Sequence, residues 1–229
     1  CHKAFHFDDV NVQTHDDYRP DYFGAEASDV VRAIKAAIIV LLCPAGQVCT
    51  FEGPFKIRDK REALFLLTHF VGDVHQPLHV GAVYLKAGAA TDDSGTQTAG
   101  GNLLLLTPGK TADNLHHEWD TIPKSLGVNA PQSVVSAACQ VPATAGNLLD
   151  RPAVWASESV VAAKSAYDML AYTKDATQPG YWDITFQDKQ AYAKSVSKAQ
   201  RQQILLGGAR LAEVLNAIWP DAHPAANCT

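Results

Sequence analysis

The sequence predicts an all-α fold: a single-domain helical bundle interrupted by one long loop. Apolar residues recur at helical spacing through most of the chain, and capping residues stand where the periodic segments begin. No run shows sustained strand alternation. With 229 residues the chain can bury one substantial core, and a hydrophobic content of 47% excludes disorder.

Taken in order, Ser28-Asp29 opens a helix whose apolar face includes Val30, Val31, Ile34 and Ile38, with Pro44 and Gly46 beyond it as stop signals. Its apolar end, Ala36 to Cys43, is far shorter than the roughly 18 residues of a membrane-spanning helix, so no span is expected. Asp59 caps the next helix, which carries Leu64, Leu67, His69 and Asp73. Pro77 ends or bends it just before His79, because proline has no N–H to donate. Val80 to Gly101 is rich in Gly, Ala, Thr and Asp and reads as a long loop, a feature that is often functional. Asp113 or Asn114 starts the helix bearing His116 and Asp120. In the C-terminal half, a helix from Val154 extends towards Tyr172, and a turn rich in Pro179, Gly180 and Asp183 follows. A final long helix runs from about Lys189 to Trp219, where Pro220 stops it, and Gly207-Gly208 permits a close neighbour. No repeat or linker divides the chain, so 1–229 is read as one domain.

The chemistry concentrates between His69 and Asp120. His69 and Asp73 are four residues apart, His79 follows, and His116 and Asp120 repeat the same spacing. Residues four apart share a helix face, so each pair can grip one cation from one side. Imidazole with carboxylate suits zinc, whereas calcium and magnesium prefer oxygen shells. One such pair is commonly a surface hydrogen bond; two pairs with a histidine between them point to a metal cluster. Asp73 also lies in an apolar helix, where an unpaired carboxylate would be costly. His75 and His117 point off the ligand face by about 100° per residue, and neither is expected to bind metal. His15 with Asp16 and Asp17 reads as a solvated loop.

A net charge of −5 argues against a basic groove tracking duplex DNA. Short phosphate contacts are still compatible, since bound cations would invert the local field. Five cysteines leave at least one without an internal partner. Cys43 and Cys49 bracket a turn and can close a small disulfide loop, whereas Cys139 and Cys228 can pair with each other or with Cys1. The cysteine pair at an exposed turn favours a secreted or periplasmic protein over one with buried thiols in a reducing compartment. No signal-peptide pattern stands at Cys1, so any such peptide is expected to have been removed or to lie outside this chain. Asn227-Cys228-Thr229 matches a glycosylation sequon, a short and weak motif.

The motifs His6-Phe7-Asp8-Asp9, His69 to His79, Gly100-Gly101-Asn102 and Asn114 to Asp120 follow one another in an order that resembles the zinc-dependent single-strand nucleases typified by nucleases S-one and P-one. Trp155-Ala156-Ser157-Glu158 and Gly207 to Ala212 resemble later segments, so the likeness covers nearly the whole chain. The resemblance implies a mainly α-helical fold shared with zinc-dependent phospholipase C and a cleft with up to three zinc ions. His79, His116 and Asp120 match the protein ligands of one zinc, and His6, His69 and Asp73 part of a closely spaced pair bridged by Asp73. It further implies that Phe7 stacks on a nucleobase, that Asp9 bonds the base edge, and that Asn102 assists catalysis or substrate binding beside Asp73. The implied substrates are single-stranded DNA, RNA and nucleotides, cleaved to 5′-nucleotides, with 3′-nucleotidase activity, by a protein expected to be a monomer.

In that family a tryptophan amino terminus, a histidine and an aspartate precede the His-Phe-x-x-Asp element by tens of residues, and Cys1 and His2 do not reproduce them. The expectation is therefore a longer exported precursor, with the His79 site better formed than a partly empty or disordered His6 site. Two rival functions follow: a phospholipase C using the same metals, and a catalytically silent metal-binding module. Phe7 and Asp9 favour nucleotides, because a choline headgroup would call for an aromatic cage.

Overall fold

Asp29 and Asp59 start the first two helices as their side-chain chemistry dictates. Asp29 accepts from the Arg32 N–H at the head of α1 (Val30–Leu42), and Asp59 accepts from the Glu62 N–H at the head of α2 (Lys60–Val74). Each occupies a backbone donor that the helix itself cannot satisfy. Ile34 and Ile38 of α1 and Leu67 and Phe70 of α2 are fully or almost fully buried in the shared core. The computed structural model describes residues 3–86, 95–121 and 130–222.

Asn114 begins α3 (Leu115–Asp120), its side chain accepting from the His117 N–H. The remaining helices are α4 (Gln132–Ala138), α5 (Arg151–Tyr167) and α6 (Lys189–Ile218). Trp155 of α5 is fully buried in the core, with its indole N–H donating to Thr144. Ser159 of α5 donates to the Val74 carbonyl, tying α5 to the end of α2. At the crossing of α2 and α6, a Cβ added to Gly207 would sit 3.4 Å from the His75 side chain, so the small residue sets that approach. The mainly helical expectation holds, and α6 follows its expected bounds within a residue.

Strands account for three differences. β1 (Val10–Asn11) pairs in parallel with β2 (Gly81–Ala82), and β3 (Tyr84–Leu85) pairs antiparallel with β4 (Thr96–Gln97). The segment expected to be a long loop is therefore pinned by short ladders where it is described; residues 87–94 lie outside the described part. β6 (Leu170–Lys174) and β7 (Trp182–Phe186) form an antiparallel hairpin, and β7 also pairs in parallel with β5 (Leu104–Leu105). The helix expected to reach Tyr172 stops at Tyr167 instead, and Met169 adopts a left-handed φ of 63° before the hairpin begins. In β7, Trp182, Ile184 and Phe186 alternate with Asp183 and Thr185, a strand signature only five residues long.

The Cys43–Cys49 disulfide is present, with Cα atoms 5.9 Å apart. Cys139 is half of a disulfide as well, while Cys1 and Cys228 lie outside the described residues, as does the sequon at Asn227. His15 is not simply solvated: its ring stacks on Tyr22 with centroids 3.8 Å apart, and Asp17 accepts from Arg19 and Tyr22. Among the described residues, no helix is long and apolar enough to cross a membrane.

Candidate metal centre

A parallel run of backbone hydrogen bonds creates the site. Asp8 N–H donates to the His79 carbonyl at 2.7 Å, Val10 to Val80 at 3.0 Å and Val12 to Ala82 at 3.1 Å. The ladder lays the segment that follows His6 along the segment that follows His79. The 3-10 turn Lys3–His6 thereby delivers His6 to the exposed face of α2, where His69 and Asp73 stand one turn apart. The buried face of the same helix, through Ala63, Leu67, Phe70, Val71 and Val74, keeps that orientation fixed.

Two groups of three potential ligands result: His6, His69 and Asp73, and His79, His116 and Asp120. Within each group the ligand atoms lie within 4.8 Å of one another. In the first, Asp73 Oδ2 is 2.9 Å from His6 Nδ1 and 3.3 Å from His69 Nε2, and the two ring nitrogens are 3.0 Å apart. In the second, Asp120 Oδ1 is 3.5 Å from His79 Nε2 and Oδ2 is 3.7 Å from His116 Nε2. Ligands bound at about 2.0–2.1 Å to a tetrahedral zinc lie roughly 3.3 Å apart, and the two distances to Asp120 are close to that separation. The first is closed up into direct contacts. Both groups are brought together among the described residues, the first more tightly than the second.

The ring tautomers of the second group are set by backbone carbonyls. His79 Nδ1 donates to the His6 carbonyl at 2.7 Å, and His116 Nδ1 donates to the Gly100 carbonyl at 2.8 Å. A carbonyl can only accept, so each Nδ1 carries a proton, and Nε2 is the ring atom that each histidine turns towards Asp120. Holding a metal-binding histidine through its other nitrogen is the usual second-shell arrangement. Gly100 must be glycine for this: its φ is +55°, and an added Cβ would come within 2.0 Å of the Leu78 carbonyl oxygen.

Electrostatics agrees with a cation-binding role. Burial opposes charge on Asp120, but hydrogen bonds from His79 and Gln76 outweigh it and hold the carboxyl down at about 2. Burial also opposes charge on His79, yet the Asp120 and Asp73 carboxylates outweigh it and raise its pKa. For His116, burial followed by the neighbouring His79 charge lowers the pKa. The donors are imidazole nitrogens and ionised carboxylates, each group lacks a fourth protein ligand among these residues, and together they fit a zinc-type ion.

The other expected site residues divide. Phe7 is half-buried, and Asp9 is only 4% exposed, with its pKa pushed up to about 7 mainly by burial. Asp9 is built into the fold by its backbone: its N–H donates to Gly24, and its carbonyl accepts from the Tyr84 hydroxyl at 2.7 Å. Asn102 is exposed and its side-chain amide donates to Ala99 at 2.8 Å, closing a turn; it belongs to neither ligand group. His75 is buried with Nδ1 on the Val71 carbonyl, and His117 is exposed; neither is part of the two ligand groups. Sequence reasoning missed Gln76, whose amide donates to Asp120 Oδ1 at 2.9 Å and whose oxygen accepts from the Leu78 N–H. Its position directly before Pro77, where an Asn or Gln can cap the next turn, was the available signal. Beside the cluster, a groove of about 600 Å³ runs between α2 and α6, lined by His69, Asp73, Trp119, Gln200, Ile204 and Leu211 among others.

The family model described as S1/P1 Nuclease matches residues 1–220. The chain is similar to Endonuclease 1 of Arabidopsis thaliana, 30% identical over 71% of this chain and 51% of that protein. It is also similar to Endonuclease 4 of the same plant, 33% identical over 69% of this chain and 50% of the relative. The chain thus spans about half the length of the curated relatives it matches. With the match running from the His6 segment through both ligand groups to the last long helix, the chain belongs to the S1/P1 nuclease family.

Proposed function

We propose that this chain carries the metal centre of a zinc-dependent phosphodiesterase that hydrolyses single-stranded DNA and RNA to 5′-nucleotides, with 3′-nucleotidase activity. The observation that carries the reading is the pair of ligand groups, His6/His69/Asp73 and His79/His116/Asp120, joined through the His79 bond to the His6 carbonyl. Family membership and the relatives' names as endonucleases support the reaction class.

Zinc held by such donors supplies a bound water that ionises near neutral pH and a Lewis acid for phosphoryl oxygens. With a metal bound, His79 and His116 would offer Nε2 without turning their rings, because their backbone partners already fix them. Asp120 stays ionised through Gln76 and His79. Asp73 would be the ligand shared by a closely spaced pair of ions at the first group, and its Oδ2 lies 2.9 Å from His6 Nδ1 and 3.3 Å from His69 Nε2. That placement supports its role as the shared ligand beside the reacting phosphate. Phe7 offers a ring for stacking on an unpaired base, which favours single strands because a paired base has no open face. Asp9 bonds the base edge, and Asn102 assists at the reacting phosphate. The Cys43–Cys49 disulfide supports an exported protein.

The test is hydrolysis of single-stranded DNA, RNA, duplex DNA, a 3′-nucleotide and phosphatidylcholine, with chelator and with zinc restored. Single-strand cleavage abolished by chelator and recovered with zinc is the expected result. Turnover of phosphatidylcholine alone would move the reading to a phospholipase, and zinc binding without any hydrolysis to a silent module.

A further inference from the structure

An aromatic ring lies open to solvent one helical turn from the first ligand group. Phe65 on α2 is 62% exposed, and four residues later comes His69, whose side chain is 57% exposed. A single exposed phenylalanine would mean nothing by itself. Here the Arg61 guanidinium lies 5.7 Å from the ring centroid, so a cation and an aromatic face are held together. Arg61, Phe65, His69 and Gly72 form one stripe at helical spacing. It leads into the groove, since Thr68, His69, Gly72 and Asp73 are part of the groove lining. Nothing lies within 4 Å of the position a Gly72 Cβ would take, so the stripe is unobstructed up to Asp73.

Local charge points to an anionic occupant. Lys56, Arg58, Lys60 and Arg61 gather in six residues of a chain with net charge −5. The acid among them, Asp59, caps α2, and the next residue, Glu62, pairs with Arg58 at 3.1 Å. Positive charge from Lys60 and Arg61 is left at the exposed head of the helix.

We propose that Arg61 and Phe65 form a subsite for a nucleotide flanking the one held at the metal centre of a single strand, an inference that rests on the nuclease reading above. The base stacks on Phe65, and Arg61 meets the adjoining phosphate. Aromatic stacking beside a backbone-tracking cation is how proteins hold single strands without reading their sequence. Arginine suits the place, because its planar group can lie on a ring and still bond phosphate.

The test is binding of labelled thymidylates in chelator, from the 3′-mononucleotide to a long oligomer, together with kcat/KM on the same lengths with zinc. Phe65→Ala should weaken binding of the long strand about ten-fold, within the usual worth of one stack, and leave the mononucleotide unchanged. Phe65→Trp should retain the long-strand affinity. Arg61→Ala should lower the salt slope of log affinity by about 0.7, the contribution of one phosphate contact. Long-strand affinity unchanged in Phe65→Ala, while wild type cleaves single strands, would overturn the subsite and leave the nuclease reading standing. Phe65-dependent binding without cleavage by the zinc-loaded protein would do the reverse.

Discussion

The His6 carbonyl accepts the Nδ1 proton of His79 at 2.7 Å, while the Nδ1 of the same His6 faces Asp73 at 2.9 Å. One residue thus contributes a ring to the first ligand group and a backbone acceptor that orients a ring of the second. The two groups are mechanically linked across 73 residues of sequence, so a change in the Lys3–His6 turn reaches both.

Replacing His116 with Ala removes one of three protein donors from the second group. Metal analysis should show the loss of about one zinc per chain, with most activity gone, because such sites rarely hold metal with a third of their protein ligands missing. Unchanged zinc content would remove His116 from the ligand set.

Gly100→Ala tests the backbone that positions His116. The substitution forces a side chain at φ +55° and into the Leu78 carbonyl. We expect a loss of about 1–3 kcal/mol in thermal or denaturant stability. Zinc affinity should fall with it, since the Gly100 carbonyl holds the His116 ring. A variant with wild-type melting and wild-type zinc affinity would contradict this role.

Gln76→Leu removes a hydrogen bond that keeps Asp120 ionised. The Asp120 carboxyl, now held at about 2, should rise towards its ordinary value. Protons would then compete better for the carboxylate, so zinc should be released at a higher pH than from wild type. A 10- to 100-fold loss of zinc affinity at neutral pH is the magnitude expected for a second-shell partner. Identical zinc release curves for the two proteins would show that Gln76 has no such effect.

Asp9 gives a pH dependence of stability with a definite sign. Burial raises its folded-state pKa from 3.8 to about 7, so the folded protein binds the proton more tightly than the unfolded chain. This contribution is fully present below pH 4 and is lost as pH rises through 7. Asp9→Asn cannot ionise, so the melting temperature of the chelated variant should fall less than that of wild type between pH 5 and 8. Parallel melting curves would place the Asp9 pKa near its ordinary value.

Much of this was legible in the sequence because it is local. Asp29, Asp59 and Asn114 cap helices within three residues of themselves, and His69/Asp73 and His116/Asp120 are placed by helical spacing alone. His6 has no local signal: it reaches the site through the parallel pairing of Val10 with Gly81, and it was found only through family resemblance. The β6–β7 hairpin escaped notice because its alternation is short and Met169 breaks the preceding helix without a glycine. Asn102 also has no local signal of a site role; its side-chain amide donates to the Ala99 carbonyl and closes a turn.

The most direct test of the metal centre is zinc-edge X-ray absorption on the zinc-loaded chain. Both groups offer only imidazole nitrogen and carboxylate oxygen. The expected spectrum has nitrogen and oxygen neighbours at about 2.0–2.1 Å with imidazole outer-shell scattering, reduced in His116→Ala. A sulfur shell at about 2.3 Å, or a fully hydrated ion in the loaded protein, would contradict the assignment of zinc to these histidines and aspartates.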